Sequence, residues 1–221
     1  QNLGPAPHVP AKWRGSIRRV DLPKGEKLIA LTFDFCERRG EIAGYDGQII
    51  DYLRREGIKA TLFAGGQWMR SHPVRTEQLI LDSTAMRAEI LNPQRVYEGH
   101  RADLAQRQCT AGKTDNMRSV PERLSLFRFP FGACNTASLD AVNDAGLLAI
   151  QWDVATADPT PSQSAAAIAR AMVSSAKPGS IIIAHANGRG WHTAEGLALA
   201  IPKLKARGFI FVTVSELLSK G

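Results

Sequence analysis

Lys27-Leu28-Ile29-Ala30-Leu31-Thr32-Phe33-Asp34-Phe35-Cys36-Glu37 is the stretch on which the fold turns. From Ile29 to Phe33 it is an almost unbroken run of apolar and β-branched side chains, as in a parallel-sheet strand buried on both faces. The run stops on a carboxylate, Asp34, with Cys36, Glu37 and a charged, Gly-containing loop beyond it. In α/β folds the chemistry collects at the carboxyl ends of such strands. A lone strand-end Asp more often caps the next turn. Three later strand-like runs that also end in reactive groups reverse that reading here.

Length and composition suit one globular domain: 221 residues and 24.0 kDa, 44% hydrophobic and 22% charged. No apolar run approaches the roughly 20 residues that cross a bilayer, so no transmembrane segment is expected. Lys and Arg number 28 against 21 Asp and Glu, a net charge of +7 with a pI near 9.6. These cations are dispersed and form no aromatic-interleaved cluster, so no nucleic-acid partner is expected; a mildly cationic surface also suits anionic envelope polymers. Cys36, Cys109 and Cys134 make no C-x-x-C pair and are too few for a disulfide framework. A single bridge would join Cys109 to Cys134 and leave Cys36 free beside Asp34. The chain opens at Gln1 without Met or an apolar leader, as a processed exported protein or a trimmed chain does. Export to the periplasm or the exterior is the expectation.

Outward from the decisive strand, residues 1–26 read as an N-terminal arm with a peripheral strand or hairpin over Trp13–Leu22. Residues 27–221 read as one domain. Ile49, Ile50, Leu53 and Ile58 recur at helical spacing with Gly57 as a stop. Lys59–Ala64, Ser125–Arg128, Leu147–Trp152, Ser180–His185 and Phe209–Val214 read as strands. Val74–Leu81, Tyr97–Arg107, Leu139–Ala145, Ala165–Ala176 and Thr193–Arg207 read as helices, and Thr110–Val120 as a polar loop. The alternation fails once. Ser83–Leu91, with Ser83 as N-cap, reads as a helix directly after another helix. A parallel sheet needs a strand after each crossover, so either the pattern breaks locally or a strand-bearing segment is missing at about Asp82–Ser83. The serial strand–helix succession gives an α/β barrel or a doubly wound sheet.

In a barrel the strand ends share one mouth, which would hold Asp34, Arg128, Asp158 just past Trp152, and His185. An Asp and a His converging on one pocket can work as base and acid in the hydrolysis of an acyl group. Arg128 would hold Asp34 ionised, and Asp158 would bond the imidazole and keep it protonated. Singly each has a plain alternative: a surface ion pair for Arg128, an Asx-turn before Pro159 for Asp158, a satisfied buried histidine for His185. All four at successive strand ends favour the joint reading.

Leu31-Thr32-Phe33-Asp34, Phe127-Arg128-Phe129-Pro130-Phe131-Gly132, Trp152-Asp153-Val154 with Asp158, and Ile183-Ala184-His185 resemble four motifs of the polysaccharide deacetylases, the NodB-homology group or fourth carbohydrate esterase family. Order and spacing agree from about Lys27 to Leu218. The resemblance implies a distorted (β/α)7 barrel that removes acetyl groups from N-acetylglucosamine-type polymers with the help of a divalent metal, zinc by expectation. It implies Asp34 as general base, His185 as general acid tuned by Asp158, and Arg128 holding the base. It also implies the backbone N–H of Phe131 as an oxyanion donor, with Pro130 and Trp152 beside the substrate. Trp191, in the loop after His185, is placed to stack on a sugar ring.

Two departures concern the metal. The carboxylate that usually follows the base is Phe35 here, and the motif that supplies a pair of His ligands is absent. The place expected for that pair is the Asp82–Ser83 junction, where the missing strand is also inferred. The expectation is therefore an unrepresented segment rather than a true loss. Cys36 or Glu37, if the loop turns back, and His192 are the substitute ligands to consider, while His72 and His100 read as surface residues. If the metal site is truly gone, the alternative is a metal-free carbohydrate-binding relative without activity.

Overall fold

The computed structural model describes residues 6–38, 40–81, 86–88, 94–106 and 123–221, with the side chains of 80, 81, 86–88, 94, 95 and 105 left aside. The decisive stretch forms β2 (Leu28–Phe35), flanked in parallel by β3 (Ala60–Ala64) and β8 (Ile181–His185). With β4 (Met86–Ala88) and β7 (Val154–Ala155) the order is β4-β3-β2-β8-β7, and β9 (Ile210–Val212) pairs with the start of β2. A second parallel sheet has the order β1 (Ser16–Ile17), β6 (Leu148–Ile150), β5 (Leu126–Phe127). The expected α/β class with parallel sheets is what forms. Its strands lie in two arcs that hydrogen bonds do not join into a closed barrel among the described residues.

Eight helices are described: α1 (Gly47–Arg55), α2 (Gly66–Ser71), α3 (Pro73–Leu81), α4 (Gln94–Gln106), α5 (Thr136–Asp144), α6 (Ala165–Ser175), α7 (Thr193–Ala206) and α8 (Val214–Leu218). The start of α1 is set by Asp46, whose carboxylate accepts the N–H groups of Gln48 and Ile49, two donors a helix leaves unpaired. Its Ile49, Ile50 and Leu53 then turn inward, as their spacing predicts. Leu31, Phe33 and Phe35 meet them from β2, in one core with Trp68 of α2 and Leu197 and Ile201 of α7. Each such phenylalanine contributes roughly 1.5–3 kcal/mol by leaving water. Ala30 lies on the opposite face, in a second core with Ile17, Leu126, Ile150 and Leu217. That face also carries Thr32 and Asp34, because successive strand residues alternate sides.

The structure corrects several sequence expectations. The helix read over Ser83–Leu91 is replaced by β4, whose Met86 to Ala88 pair with Ala60 to Leu62 of β3. Pairing along a sheet edge overrides the local helical pattern, and β4 supplies the strand that the alternation asks for. The junction at Asp82–Ser83 and the loop Thr110–Val120 lie outside the described residues. The strand read as Leu147–Trp152 ends at Ile150: the Gln151 N–H donates to Ile17 O, and the Asp153 N–H donates to Ile181 O across the other sheet. The chain therefore passes from one arc to the other at Trp152. The strand at Phe209 stops at Val212 because Thr213 caps α8 in a reciprocal box with Glu216. Cys134 is a free thiol, so the bridge to Cys109 is not formed; Cys109 lies outside the described residues.

Candidate active site

Asp34 is the last residue but one of β2 and His185 is the last of β8, and the ladder sets them directly opposite each other. Around this pair stand two separate polar networks. On the Asp34 side, Arg128 comes from just past β5 and is almost fully buried. Its Nη1 donates to Asp34 Oδ1 at 2.7 Å and to Thr32 Oγ1 at 2.9 Å. Its Nε donates to Ile150 O at 3.1 Å and its Nη2 to Gln151 O at 3.3 Å. The guanidinium lies over the Phe63 ring at 3.9 Å, with Trp152 at 5.5 Å on another side. Burial pulls the Arg128 pKa below its ordinary value, and the charge of Asp34 opposes that fall.

The His185 side is held by Asp158, buried near the start of the loop between β7 and α6. Asp158 Oδ2 accepts the His185 backbone N–H at 2.7 Å and the Thr193 hydroxyl at 2.8 Å. Asp158 Oδ1 lies 3.0 Å from His185 Nδ1 and 2.8 Å from Thr156 Oγ1. With Nδ1 committed to a carboxylate, Nε2 is the ring atom left to work outward. Gly190 closes over this carboxylate: a Cβ there would lie 2.4 Å from Thr193 Oγ1, 2.5 Å from His185 O and 2.7 Å from Asp158 Oδ2. Only glycine fits.

The turn Pro130–Gly132 follows Arg128 and rests on Trp152, where a Cβ at Gly132 would come within 2.9 Å of the indole. Phe131 has left-handed φ of 57°, and its side chain projects into solvent. Its N–H lies in the first turn of a 3₁₀ helix, where helical donors have no internal acceptor. Trp191 is half exposed in the loop after β8, and its N–H donates to Asp158 O at 2.8 Å. Asp153, quoted with Trp152 above, turns the other way and accepts from Ile181 N and Ser180 Oγ, both at 2.9 Å. It ties β7 to β8.

The residues weighed as metal ligands do not gather around Asp34. Phe35 points into the helix-side core, fully buried, with its ring 4.6 Å from that of Trp68. Glu37 is likewise withdrawn, its Oε2 accepting Ala43 N at 3.0 Å and Ser71 Oγ at 2.8 Å. Cys36 has its carbonyl bonded by Asn187 Nδ2 at 2.6 Å, and burial first, then Asp34, pushes its thiol up and away from the thiolate that metals bind. His192 takes a left-handed φ of 53° at the start of α7. His72 and His100, read from the sequence as surface residues, are instead packed: His72 stacks on Trp68 at 4.6 Å, and His100 Nδ1 lies 3.7 Å from Glu77. Among the described residues no three His, Cys, Asp or Glu side chains form a group able to hold a metal ion. The site as built does not fit a zinc.

Thr156, Thr193 and Gly190, which fix Asp158, escaped the sequence reading. Nothing in their local pattern marks them, since Thr193 is 35 positions from the carboxylate it serves. Thr32 was within sight, as the polar residue inside an apolar run.

A family model described as polysaccharide deacetylase matches residues 21–150. The peptidoglycan-N-acetylglucosamine deacetylase of Bacillus cereus is 31% identical over 202 residues, covering 90% of this chain and 91% of that protein. Among solved structures, a peptidoglycan N-acetylglucosamine deacetylase superposes with a TM-score of 0.68 at 22% identity, over 96% of this chain and 98% of the other. A CE4 family pseudoenzyme from Bacillus anthracis superposes with a TM-score of 0.66 at 19% identity, over 93% and 69%. These two superpositions speak for the shared fold.

Proposed function

Because this chain belongs to the polysaccharide deacetylase family, we propose that it hydrolyses acetyl groups from an N-acetylglucosamine-type polymer outside the cytoplasm. The observation that carries the reading is the direct pairing of Asp34 with His185 across β2 and β8, each held by its own buried partner. Asp34 takes a proton from water as the water oxygen attacks the acetyl carbon. The Phe131 N–H faces the oxygen on which negative charge develops. His185 passes its Nε2 proton to the departing nitrogen, the C–N bond breaks, and acetate leaves a free amine. Phe131 and Trp191 offer exposed rings against which sugar faces can lie. The zinc implied by the resemblance has no ligand set among the described residues, and no step passes through it.

Acetate release from N-acetylated chitooligosaccharides and from peptidoglycan tests this reading. Release that falls to background in both Asp34→Asn and His185→Ala supports it. Full release by either variant sinks the assignment of that residue. A second reading, sugar binding without turnover, is favoured by the burial of Phe35 in the core. It predicts saturable binding of the same oligosaccharides with no acetate.

A further inference from the structure

We infer that this chain engages its polysaccharide without a resident divalent ion, with the Arg128–Asp34 and Asp158–His185 pairs as the charged groups at the strand ends. The polysaccharide part of this statement rests on the function proposed above; the metal part does not.

Zinc in proteins takes three or four His, Cys or carboxylate ligands, so the supply of donors near Asp34 decides the matter. All five histidines of the chain are among the described residues, and the residues 82–85, 89–93 and 107–122 contain none. His185 is committed through Nδ1 to Asp158, His72 sits between α2 and α3 stacked on Trp68, and His100 lies on α4 beside Glu77. The position after the base is worse than empty of donors. Strand alternation sends Phe35 to the face opposite Asp34, where it is fully enclosed by Tyr45 and Trp68. A carboxylate at 35 would enter this aromatic core rather than the cleft.

The loop beyond is fixed in the same sense. Glu37 folds it by accepting from Ala43 and Ser71, and Asn187 clamps the Cys36 carbonyl. The Gly44 N–H donates to Asn187 O at 2.8 Å, and Arg189 pairs with Glu41, so the loops after β2 and β8 are stitched together beside the cleft. Among the described residues the one buried carboxylate oxygen without a partner, Glu37 Oε1, has His72 near its other oxygen at 3.9 Å. That gives two donors, short of a site.

The test uses the whole protein, equilibrated with excess zinc, desalted and measured for metal content, beside Asp34→Asn treated alike. The inference expects zinc well below one equivalent in both proteins. It also expects no change of melting temperature on adding zinc or a chelator, and the same oligosaccharide affinity of the unaltered protein with and without chelator. With about 1 mM zinc, a micromolar site would raise the melting temperature by roughly 10 °C. One equivalent of zinc in the unaltered protein, accompanied by such a shift, overturns the inference; its loss in Asp34→Asn would place the ion at the strand ends. Acetate release is scored separately: none from metal-free protein sinks the hydrolase reading and leaves this inference standing.

Discussion

On the β8 side of the cleft every polar atom of the Asp158 side chain has a partner, and glycine is required at 190 to keep the fit. On the β2 side the polar network stops at Asp34, and the next residue is already core. The difference teaches where this site is chemical and where it is structural. Three contacts besides that of the imidazole itself fix the buried carboxylate that faces it. Phe35 makes the reverse case, since its ring contributes burial and nothing polar.

Substituting Phe35→Asp attacks the contrast most directly. A carboxylate in a fully buried aromatic pocket should cost about 4–5 kcal/mol, much of the stability of a domain. Urea unfolding measures it, and wild-type stability would show that the flank is open and break the comparison. Asp34→Asn comes next. Loss of the base should lower acetate release by roughly 100- to 10,000-fold. Stability should fall by only about 1–3 kcal/mol, because the Asn oxygen can still accept from Arg128 while its counter-charge is lost. Near-normal turnover would take the base role from Asp34.

Gly190→Ala should perturb the other half. Its Cβ must push Thr193 or Asp158 aside, at about 1–3 kcal/mol, with a loss of activity that the same substitution at a solvent-exposed glycine would not give. Unchanged activity would mean that the aim of Asp158 is not critical. The smallest effect is expected at Cys36. Its thiol is pushed up by burial and then by Asp34, so removing that charge in Asp34→Asn should bring the pKa down. The thiolate fraction at a given pH then rises, and alkylation should quicken roughly two- to fivefold, with Cys134 as the internal control. No change would place Asp34 out of electrical reach of Cys36.

Much of this was legible because it was local. An apolar run ending in a charge names a buried strand and its functional end without any knowledge of its neighbours. Four such ends in order give the α/β class and the four residues Asp34, Arg128, Asp158 and His185. The residues around Asp158 were not legible, since Thr156 and Thr193 acquire their role only when β7, β8 and the start of α7 are brought together.

The sequence by itself determined that a buried apolar strand runs into a carboxylate at Asp34, that an Asp and a His stand at two strand ends, and that Phe35 cannot ligate a metal. Only the tertiary structure decided that Asp34 and His185 are register partners, that Arg128 is buried against the first and Asp158 against the second, and that Phe35 faces away from both. It also placed β4 where local preference asked for a helix. The physical reason is common to all of these. Side-chain chemistry and periodicity are properties of a few neighbouring residues, whereas register, facing and burial are set by contacts between segments far apart in the chain.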